Sequence, residues 1–573
     1  EERFVRIKNY YGYPFNSIEY CLKKSKISGN NLSGVAFTAQ TFHGLEVKSK
    51  RTIYYDLQDW HDYYGEKYYI PKMKGDKKAV LEYQKYLRDD PKFNIIDDHF
   101  DFSYLNDNKY LLDINLDIEK FREVQAETLS KHIGFDKSKV EFLDHQSCHA
   151  YYAYFGSPFR DKPCIALTLD SWGDGRNQTV WKIIDNNFQL ISESSENDIG
   201  RIYKLTTLLL SMKPNEHEFK VMGLAPYAKE NYARKAMKVL ENISKIIGMK
   251  IVSDKRPKDL YNYLKNNWQT TRFDNIAGAV QLFTEEIVEK LINNIIKETG
   301  INRFVFSGGV SMNIKLNKAI TEIQKVKEFY VCASGADEST SIGGCYLLNH
   351  KFTHPNKPIK NMCLGYDIND EFKKFNFNKL NKNLEIKQNV CIDDVIDMII
   401  NGNIIGVIRG KAEFGARALG NRSIIANPSK LDIVQRINEA IKNRDFWMPF
   451  ALSIQSEYAN SYLINPKNIQ SPFMTIGYST NKKIYDQIVA GTHPYDKTVR
   501  PQIVDQIYSP EWWSIINKFR KKTKIPALLN TSLNLHGEPI VNTIDDAIRT
   551  FELSGLDHLL INDKVLLSKK LNI

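Results

Sequence analysis

Cysteine is scarce in this chain, and what there is lies scattered. The seven thiols, at positions 21, 148, 164, 332, 345, 363 and 391, form no CxxC pair. That spacing excludes a zinc knuckle and points to reduced thiols in a cytoplasmic protein rather than a disulfide framework. Long apolar runs are missing too: the Leu205 to Leu210 cluster is far too short to cross a bilayer, so no membrane association is expected. The chain opens Glu1-Glu2-Arg3 without an apolar core and so offers no signal peptide pattern there, and the absent Met predicts that residues upstream are missing. Two familiar phosphate fingerprints fail. Gly406 to Ala412 is too short for a P-loop, and Gly173-Asp174-Gly175 lacks the third glycine of a dinucleotide turn. There is no internal repeat and no low-complexity block.

What is present reads as a soluble α/β protein. A length of 573 residues exceeds what one hydrophobic core supports, so roughly two to four domains are expected. Buried strands are predicted at Cys164–Leu169, Phe304–Phe306 and Phe329–Cys332, each ending in a turn rich in Asp, Gly or Ser. Between them, apolar residues at Val280, Phe283, Ile287, Leu291 and Ile295 keep helical spacing from about Ile276 to Lys297, with Gly300 as a stop. His354-Pro355-Asn356-Lys357-Pro358 reads as a linker because two prolines in five residues discourage regular structure. Past it, a helix near Asp393 to Ile400 and strands at Ile404–Ile408, Ser423–Ala426 and Ala527–Asn534 lead to a helix from about Asp545. Residues 58 to 115 are polar and aromatic and receive no role. The net charge of +11, with clusters at Lys23–Lys26 and Lys518–Lys522, fits a polyanion contact or plain solvated faces and names no partner.

Three constellations carry chemistry. In Asp144-His145-Gln146-Ser147-Cys148-His149 the two histidines are four apart, so on a helix both imidazoles leave one face. Alone, such a pair is as readily a surface or core feature as a metal site. Asp170 and Asp337 each follow a predicted strand and can complete a His₂-carboxylate set; taken singly, either can be a turn or helix cap. Next, Ser307-Gly308-Gly309-Val310-Ser311-Met312-Asn313 follows a strand and can bring backbone amides to a phosphate, or simply make a tight turn. The last, Glu413 to Ser423, packs Arg417, Arg422, two glycines and Asn421 into one loop, with Lys442, Arg444 and Arg500 as further cations and Asn530 and Ser532 after a strand. Arginine forks and glycine amides suit phosphate; surface ion pairs are the alternative.

Together these strings resemble the carbamoyltransferase family of nodulation protein U and the cephalosporin and aminoglycoside antibiotic O-carbamoyltransferases. The matching segments are Glu1-Glu2-Arg3, Asp144 to His149, Glu218 to Ala225, Gly308-Gly309 with Asn313 and Asn317, Glu413 to Ser423, Asn530 to Ser532, and Gly537 to Val541. They fall in the family's order over nearly the whole chain. The resemblance implies an actin-like (ASKHA) ATPase-type module over residues 1–352, with the family's first hairpin missing before residue 1, and a YrdC-like module over 353–573. It implies that the second module makes carbamoyl-adenylate from ATP and carbamoyl phosphate, and that the first transfers the carbamoyl group to a hydroxyl. The acceptor it implies is a small molecule such as an antibiotic or sugar; a hydroxymethylated base in DNA or RNA is the alternative. A non-catalytic nucleotide-binding protein is the reading from another class. Hydrogenase maturation, which uses similar modules, is excluded by the missing CxxC pairs.

Carried over by position, His145, His149, Asp170 and Asp337 would hold a divalent metal (Fe, Mn or Zn), with Mg accompanying ATP. Lys220, Gly223, Gly308, Gly309 and Asn313 would line the first nucleotide site. Arg417, Arg422, Lys442, Arg444, Arg500, Asn530 and Ser532 would hold ATP and carbamoyl phosphate. His145, Asp170, Arg417, Lys442 and Arg500 are the residues expected to act in catalysis. Two positions depart from the family pattern: Met448 where Arg is usual, and Gln146 where His is frequent.

Overall fold

The computed structural model describes residues 1–42, 55–93, 99–160, 162–353, 356–359, 361–381 and 383–570. Its α/β architecture rests on two large sheets. The first has five strands in the order Asn187–Ser194, Gln178–Ile184, Cys164–Leu169, Arg303–Ser307, Glu328–Tyr330. Cys164–Leu169 pairs antiparallel with Gln178–Ile184 and parallel with Arg303–Ser307, which is parallel to Glu328–Tyr330. Every residue of Cys164–Leu169 is buried because helices cover both faces. Ile165, Leu167 and Leu169 point into a core shared with the helices Ile199–Leu209 and Phe273–Thr299, while Cys164 and Ala166 meet the helix His145–Phe155. The expected strand through Cys332 stops at Tyr330, and the expected long helix runs further, from Phe273 to Thr299, ending on Gly300 at φ 70°.

The second sheet has eight strands: Leu384–Gln388, Val565–Lys569, His558–Ile561, Ile405–Ile408, Arg422–Ala426, Ala527–Ser532, Ala451–Gln455, Pro501–Val504. Most neighbours are antiparallel; Ile405–Ile408 with His558–Ile561, and Ala451–Gln455 with Pro501–Val504, are the parallel pairs. The helices Ile392–Ile400 and Ile544–Glu552 lie within a residue or two of where the apolar pattern puts them. Of the expected linker, His354 and Pro355 lie outside the described residues.

Residues 58 to 115, where described, are mainly helical, with Leu57–Tyr64, Tyr69–Lys74 and Lys77–Asp89 bringing Trp60, Tyr68 and Tyr83 into the first core. The N-terminal segment crosses to the second sheet's loops. Arg3 donates to the carbonyls of Glu413 (2.7 Å) and Gly415 (2.6 Å), and Arg6 to those of Ile540 (2.8 Å) and Pro539 (3.0 Å).

Candidate active site

Asp144 starts the helix His145–Phe155 by accepting from Ser147 N at 2.7 Å, which fixes the two histidines one turn apart on one face. The helix is entirely buried, and its neighbour Thr340–Lys351 comes unusually close. A Cβ on Gly343 would lie 1.8 Å from Cys148 O, so the glycine is what permits the approach. That contact brings Asp337, just before the second helix, up to the histidines. Asp170 arrives from the end of the central strand. At Gly308, with φ 89°, a Cβ would lie 2.2 Å from Leu169 O, so the Gly308-Gly309 turn is pressed against the same strand end.

Four donor atoms result, all within 4.8 Å of one another: one nitrogen each from His145 and His149, one oxygen each from Asp170 and Asp337. The two Nε2 atoms are 3.1 Å apart. Asp170 Oδ2 lies 3.4 Å from His145 Nε2 and 3.3 Å from His149 Nε2, and Asp337 Oδ1 lies 3.5 and 3.6 Å from them. The tautomer follows from the far side of His149. Ser307 Oγ donates to Gly335 O at 3.1 Å, so it accepts from His149 Nδ1 at 3.1 Å, and this leaves Nε2, which faces the carboxylates, as the nitrogen that can give up its proton and ligate an ion. Two imidazole nitrogens aimed at one point between two carboxylates fit a divalent transition ion, with Ser307 orienting one ligand. His145, His149 and Asp170 are buried, whereas the Asp337 side chain is 66% exposed, so the centre opens on the Asp337 side. Burial pulls His145 and His149 down, but the two carboxylates outweigh it and both imidazoles end above their ordinary value. Burial and the Asp337 carboxylate push Asp170 up, yet the imidazoles hold it below the usual carboxylate range.

The second constellation divides in two. Glu413 Oε1 accepts from the amides of Leu419 (2.7 Å), Asn421 (2.9 Å) and Arg422 (3.0 Å) and so shapes the loop. Arg422, fully buried, spends its guanidinium on the carbonyls of Arg409 (2.8 Å), Tyr366 (3.0 Å) and Asn542 (3.1 Å). Arg417, Arg444 and Arg500 are half-buried and, among the described residues, pair with no carboxylate within 4 Å. Burial, and then each other's charge, pulls Arg500 well down and Arg444 to about 10. Burial also lowers Arg417, partly offset by Glu338. Arg500 Nε and Asn530 Oδ1 are buried and unpartnered among the described residues. Three uncompensated guanidinium groups with a spare buried donor fit a phosphate-bearing ligand.

Lys442, at the end of the π-helical turn Asn438–Lys442, donates to Asn534 Oδ1 (2.7 Å) and to the carbonyls of Ser532 (2.5 Å) and Asn534 (3.0 Å). Ser532 Oγ also reaches Asn534 Oδ1, at 2.6 Å. Asn530 Nδ2 donates to Ala418 O (3.1 Å) and Ser453 Oγ (2.9 Å).

Of the remaining expected site residues, Gly309 lies beside Asp170: a Cβ there would be 3.2 Å from its Oδ1. Asn313 caps the helix Ile314–Glu322 and donates to Gln281 Oε1 at 3.0 Å. Lys220 and Gly223 meet the Asp445–Met448 loop. Lys220 Nζ pairs with Asp445 at 3.0 Å, and a Cβ on Gly223 would sit 3.0 Å from Met448 Sδ. A cavity of about 380 Å³ there is lined by His217, Lys220, Asp445 and Trp447 among others.

The histidine centre and the arginine recess adjoin. Gly415 abuts Ser334, whose hydroxyl donates to Glu338, the neighbour of Asp337. Burial, then Asp337 and Glu2, pushes the Glu338 carboxyl up to about 7. Ser307 and Glu338 were not singled out in the sequence. Ser307 stands in a motif read for its glycines, and Glu338 looks like an ordinary surface acid.

Fold and site together define an α/β protein in which a His/Asp centre suited to a divalent ion adjoins a basic recess suited to phosphates. The chain belongs to the carbamoyltransferase family: the family profile described as Carbamoyltransferase N-terminus matches residues 1–346, and Carbamoyltransferase C-terminus matches 396–569. It is an enzyme, a carbamoyltransferase. An uncharacterized protein of Methanocaldococcus jannaschii is 33% identical over 78% of this chain and 85% of its own length. Nodulation protein NolO of Bradyrhizobium diazoefficiens is 29% identical over 73% of this chain and 78% of its own. The 3'-hydroxymethylcephem-O-carbamoyltransferase of Amycolatopsis lactamdurans is 28% identical over 30% of this chain and 32% of its own. No helix among the described residues is long and apolar enough to cross a membrane.

Proposed function

We propose that this carbamoyltransferase makes a carbamoyl-adenylate from ATP and carbamoyl phosphate, then moves the carbamoyl group to a hydroxyl of a small molecule. Residues 353–573 form the adenylating, YrdC-like module, and residues 1–352 the actin-like transfer module. The observation that carries this reading is the adjacency of an uncompensated arginine recess and a four-donor His/Asp centre.

In the recess, Arg417, Arg444 and Arg500 neutralise the phosphates while water hydrolyses carbamoyl phosphate to carbamate and inorganic phosphate, and the carbamate oxygen then attacks the α-phosphorus of ATP and expels pyrophosphate. Asn530 Oδ1, a buried acceptor without a donor among the described residues, suits the carbamoyl N–H. Lys442 holds Ser532 and Asn534 as one wall of the recess. At the other centre, a divalent ion held by His145, His149, Asp170 and Asp337 would supply Lewis-acid polarisation of the carbamoyl carbonyl. The Gly308 amide is held by Gly335 O at 2.9 Å, which leaves the Gly309 amide as the turn's donor for an adenylate phosphate, with Asn313 beyond it. Lys220 and Gly223 line a nucleotide-facing wall against Asp445. The acceptor oxygen attacks the carbamoyl carbon, its proton passes to a neighbouring carboxylate or imidazole, and AMP leaves.

Mass spectrometry of the full chain with ATP, carbamoyl phosphate and a divalent metal tests this. One arm contains no acceptor, and another a panel of alcohols and sugars. AMP together with an acceptor heavier by one carbamoyl group is the expected result. No ATP consumption by folded, metal-loaded protein in either arm overturns it.

A further inference from the structure

The loop that carries Arg500 also grips the other half of the molecule. Residues 492–500 are closed on themselves: His493 N donates to Thr498 O (2.8 Å), Lys497 N to His493 O (3.1 Å), and Thr498–Val499 pairs with Tyr478–Ser479. From this loop His493, only 2% exposed, directs Nε2 at the carbonyl of Gly223 (2.8 Å). A carbonyl can only accept, so Nε2 carries a proton and donates. That carbonyl lies in the last turn of the helix Glu218–Leu224, where helix acceptors run short of partners, and Pro226, three residues on, has no N–H to give. The Tyr227 ring adds to the contact, 5.6 Å from the His493 ring and 4.9 Å from that of Tyr495.

Asp496 carries the grip further. Its Oδ1 lies 3.2 Å from His493 Nδ1 and accepts from Thr498 N (3.0 Å) and Thr498 Oγ1 (2.7 Å), while its Oδ2 takes the Lys315 ammonium. Burial pushes the Asp496 carboxyl up, but His493 and Lys315 outweigh it and hold it well below the usual carboxylate range. Lys315 stands two residues past Asn313, in the first turn of the helix Ile314–Glu322, and also reaches Thr498 Oγ1 at 3.3 Å. The same helix is tied again from the same side: Gly477 N donates to Ile314 O (3.0 Å), and Asn317 Nδ2 to Thr475 O (2.7 Å).

One line of contacts, from the Gly223 carbonyl through His493 and Asp496 to Lys315, therefore joins the helix that holds Gly223 to the helix that Asn313 caps. We infer that His493, Asp496 and Lys315 are positioning residues for carbamoyl transfer, fixing the separation of the Gly223 and Asn313 sides of the adenylate site from the loop that bears Arg500. The inference rests on the reading above that Gly223 and Asn313 line that site, and it adds the residues that set the site's width. They act through Gly223 and Asn313 rather than on the reacting atoms. A ligand held between two elements binds well only while their spacing matches it, so cutting the tie weakens nucleotide binding without removing a nucleotide contact.

Hydrogen exchange of the full chain, read by mass spectrometry and titrated with ADP, tests this by location. In the wild type, ADP should protect peptides spanning 218–227 and 308–316. Lys315→Met should raise the ADP concentration at half-protection roughly tenfold in both peptides, the scale of one lost charge-assisted contact, and Lys315→Arg should restore it. His493→Phe, which keeps a ring but not the donor, should shift both peptides as well. Protection of 413–423 by carbamoyl phosphate should move less than about twofold in Lys315→Met, because the partners of Lys315 are Asp496 and Thr498 rather than a recess arginine. Urea unfolding shows that each variant is folded. ADP midpoints that stay put in folded Lys315→Met and His493→Phe, or that shift only in the peptide holding the substitution, overturn the inference. So does a wild type that ADP protects at neither peptide. A wild type that forms no AMP from ATP and carbamoyl phosphate, yet shows the shifted midpoints in its variants, would overturn the transfer reading and leave the positioning role standing.

Discussion

Ser307 offers the sharpest handle on the His/Asp centre. Its hydroxyl receives His149 Nδ1–H at 3.1 Å and passes its own proton to Gly335 O, so Ser307→Ala removes the group that sets the tautomer. The nearest replacement is Ser339 Oγ, at a marginal 3.5 Å from the same nitrogen. His149 has no solvent exposure, so water cannot step in. Leaving a buried donor unsatisfied costs about 1–3 kcal/mol, and loss of a ligand-orienting partner lowers metal affinity ~10–100-fold. The two estimates agree, since roughly 1.4 kcal/mol is a factor of ten. Competitive titration of Zn²⁺, Mn²⁺ and Fe²⁺ against a chromophoric chelator reads the affinity, and urea unfolding of the metal-free variant reads the stability loss separately. Were the bond reversed, with Ser307 donating to Nδ1, Nε2 would carry the proton and could not ligate. The substitution would then leave metal affinity unchanged or improve it, and either result from a folded variant refutes the assignment.

Protons should report on the same centre. His145 and His149 are held above an unfolded value of about 6.5, so in metal-free protein their stabilising contribution is full below that pH and fades as pH rises through the folded values. Metal binding must displace those protons, and calorimetry in buffers of different ionisation enthalpy should find protons released as the ion binds; none released would sink the reading. In the recess, Arg500→Gln relieves repulsion from Arg417 and Arg444, and should stabilise the ligand-free chain by on the order of 1 kcal/mol while cutting carbamoyl-phosphate-dependent AMP formation about 100-fold. A less stable but equally active variant contradicts this. Arg422→Met should do the opposite: it removes the donor shared by the carbonyls of Arg409, Gly410, Asn421, Tyr366 and Asn542, costs roughly 3 kcal/mol in urea unfolding, and leaves the KM for carbamoyl phosphate of the folded fraction unchanged.

The contrast between Arg417 and Arg422 shows where the sequence stops being legible. Both stand in one loop and both look like phosphate ligands, but the hub at Glu413 turns one outward and buries the other among carbonyls supplied from as far away as Asn542. No local pattern encodes that choice. The central strand at Cys164–Leu169 was readable because a run buried on both faces must be apolar throughout. Asp170 and Asp337 were readable for the same reason, since carboxylates that follow such strands stand out. Ser307 was not. Its meaning comes from what packs against it, the Gly335 carbonyl on one side and His149 on the other.

The N-terminal arginines also bear on how the chain comes to be folded. Arg3 is satisfied by a carbonyl 410 residues away and Arg6 by one 534 residues away. During synthesis, Arg3 has its partners only once residue 415 is made and Arg6 only once residue 540 is made, and contacts of such long separation form late. The segment is therefore a closing latch in time as well as in space. Stalled or prematurely ended chains should leave residues 1–9 open to protease while the five-stranded sheet is already protected.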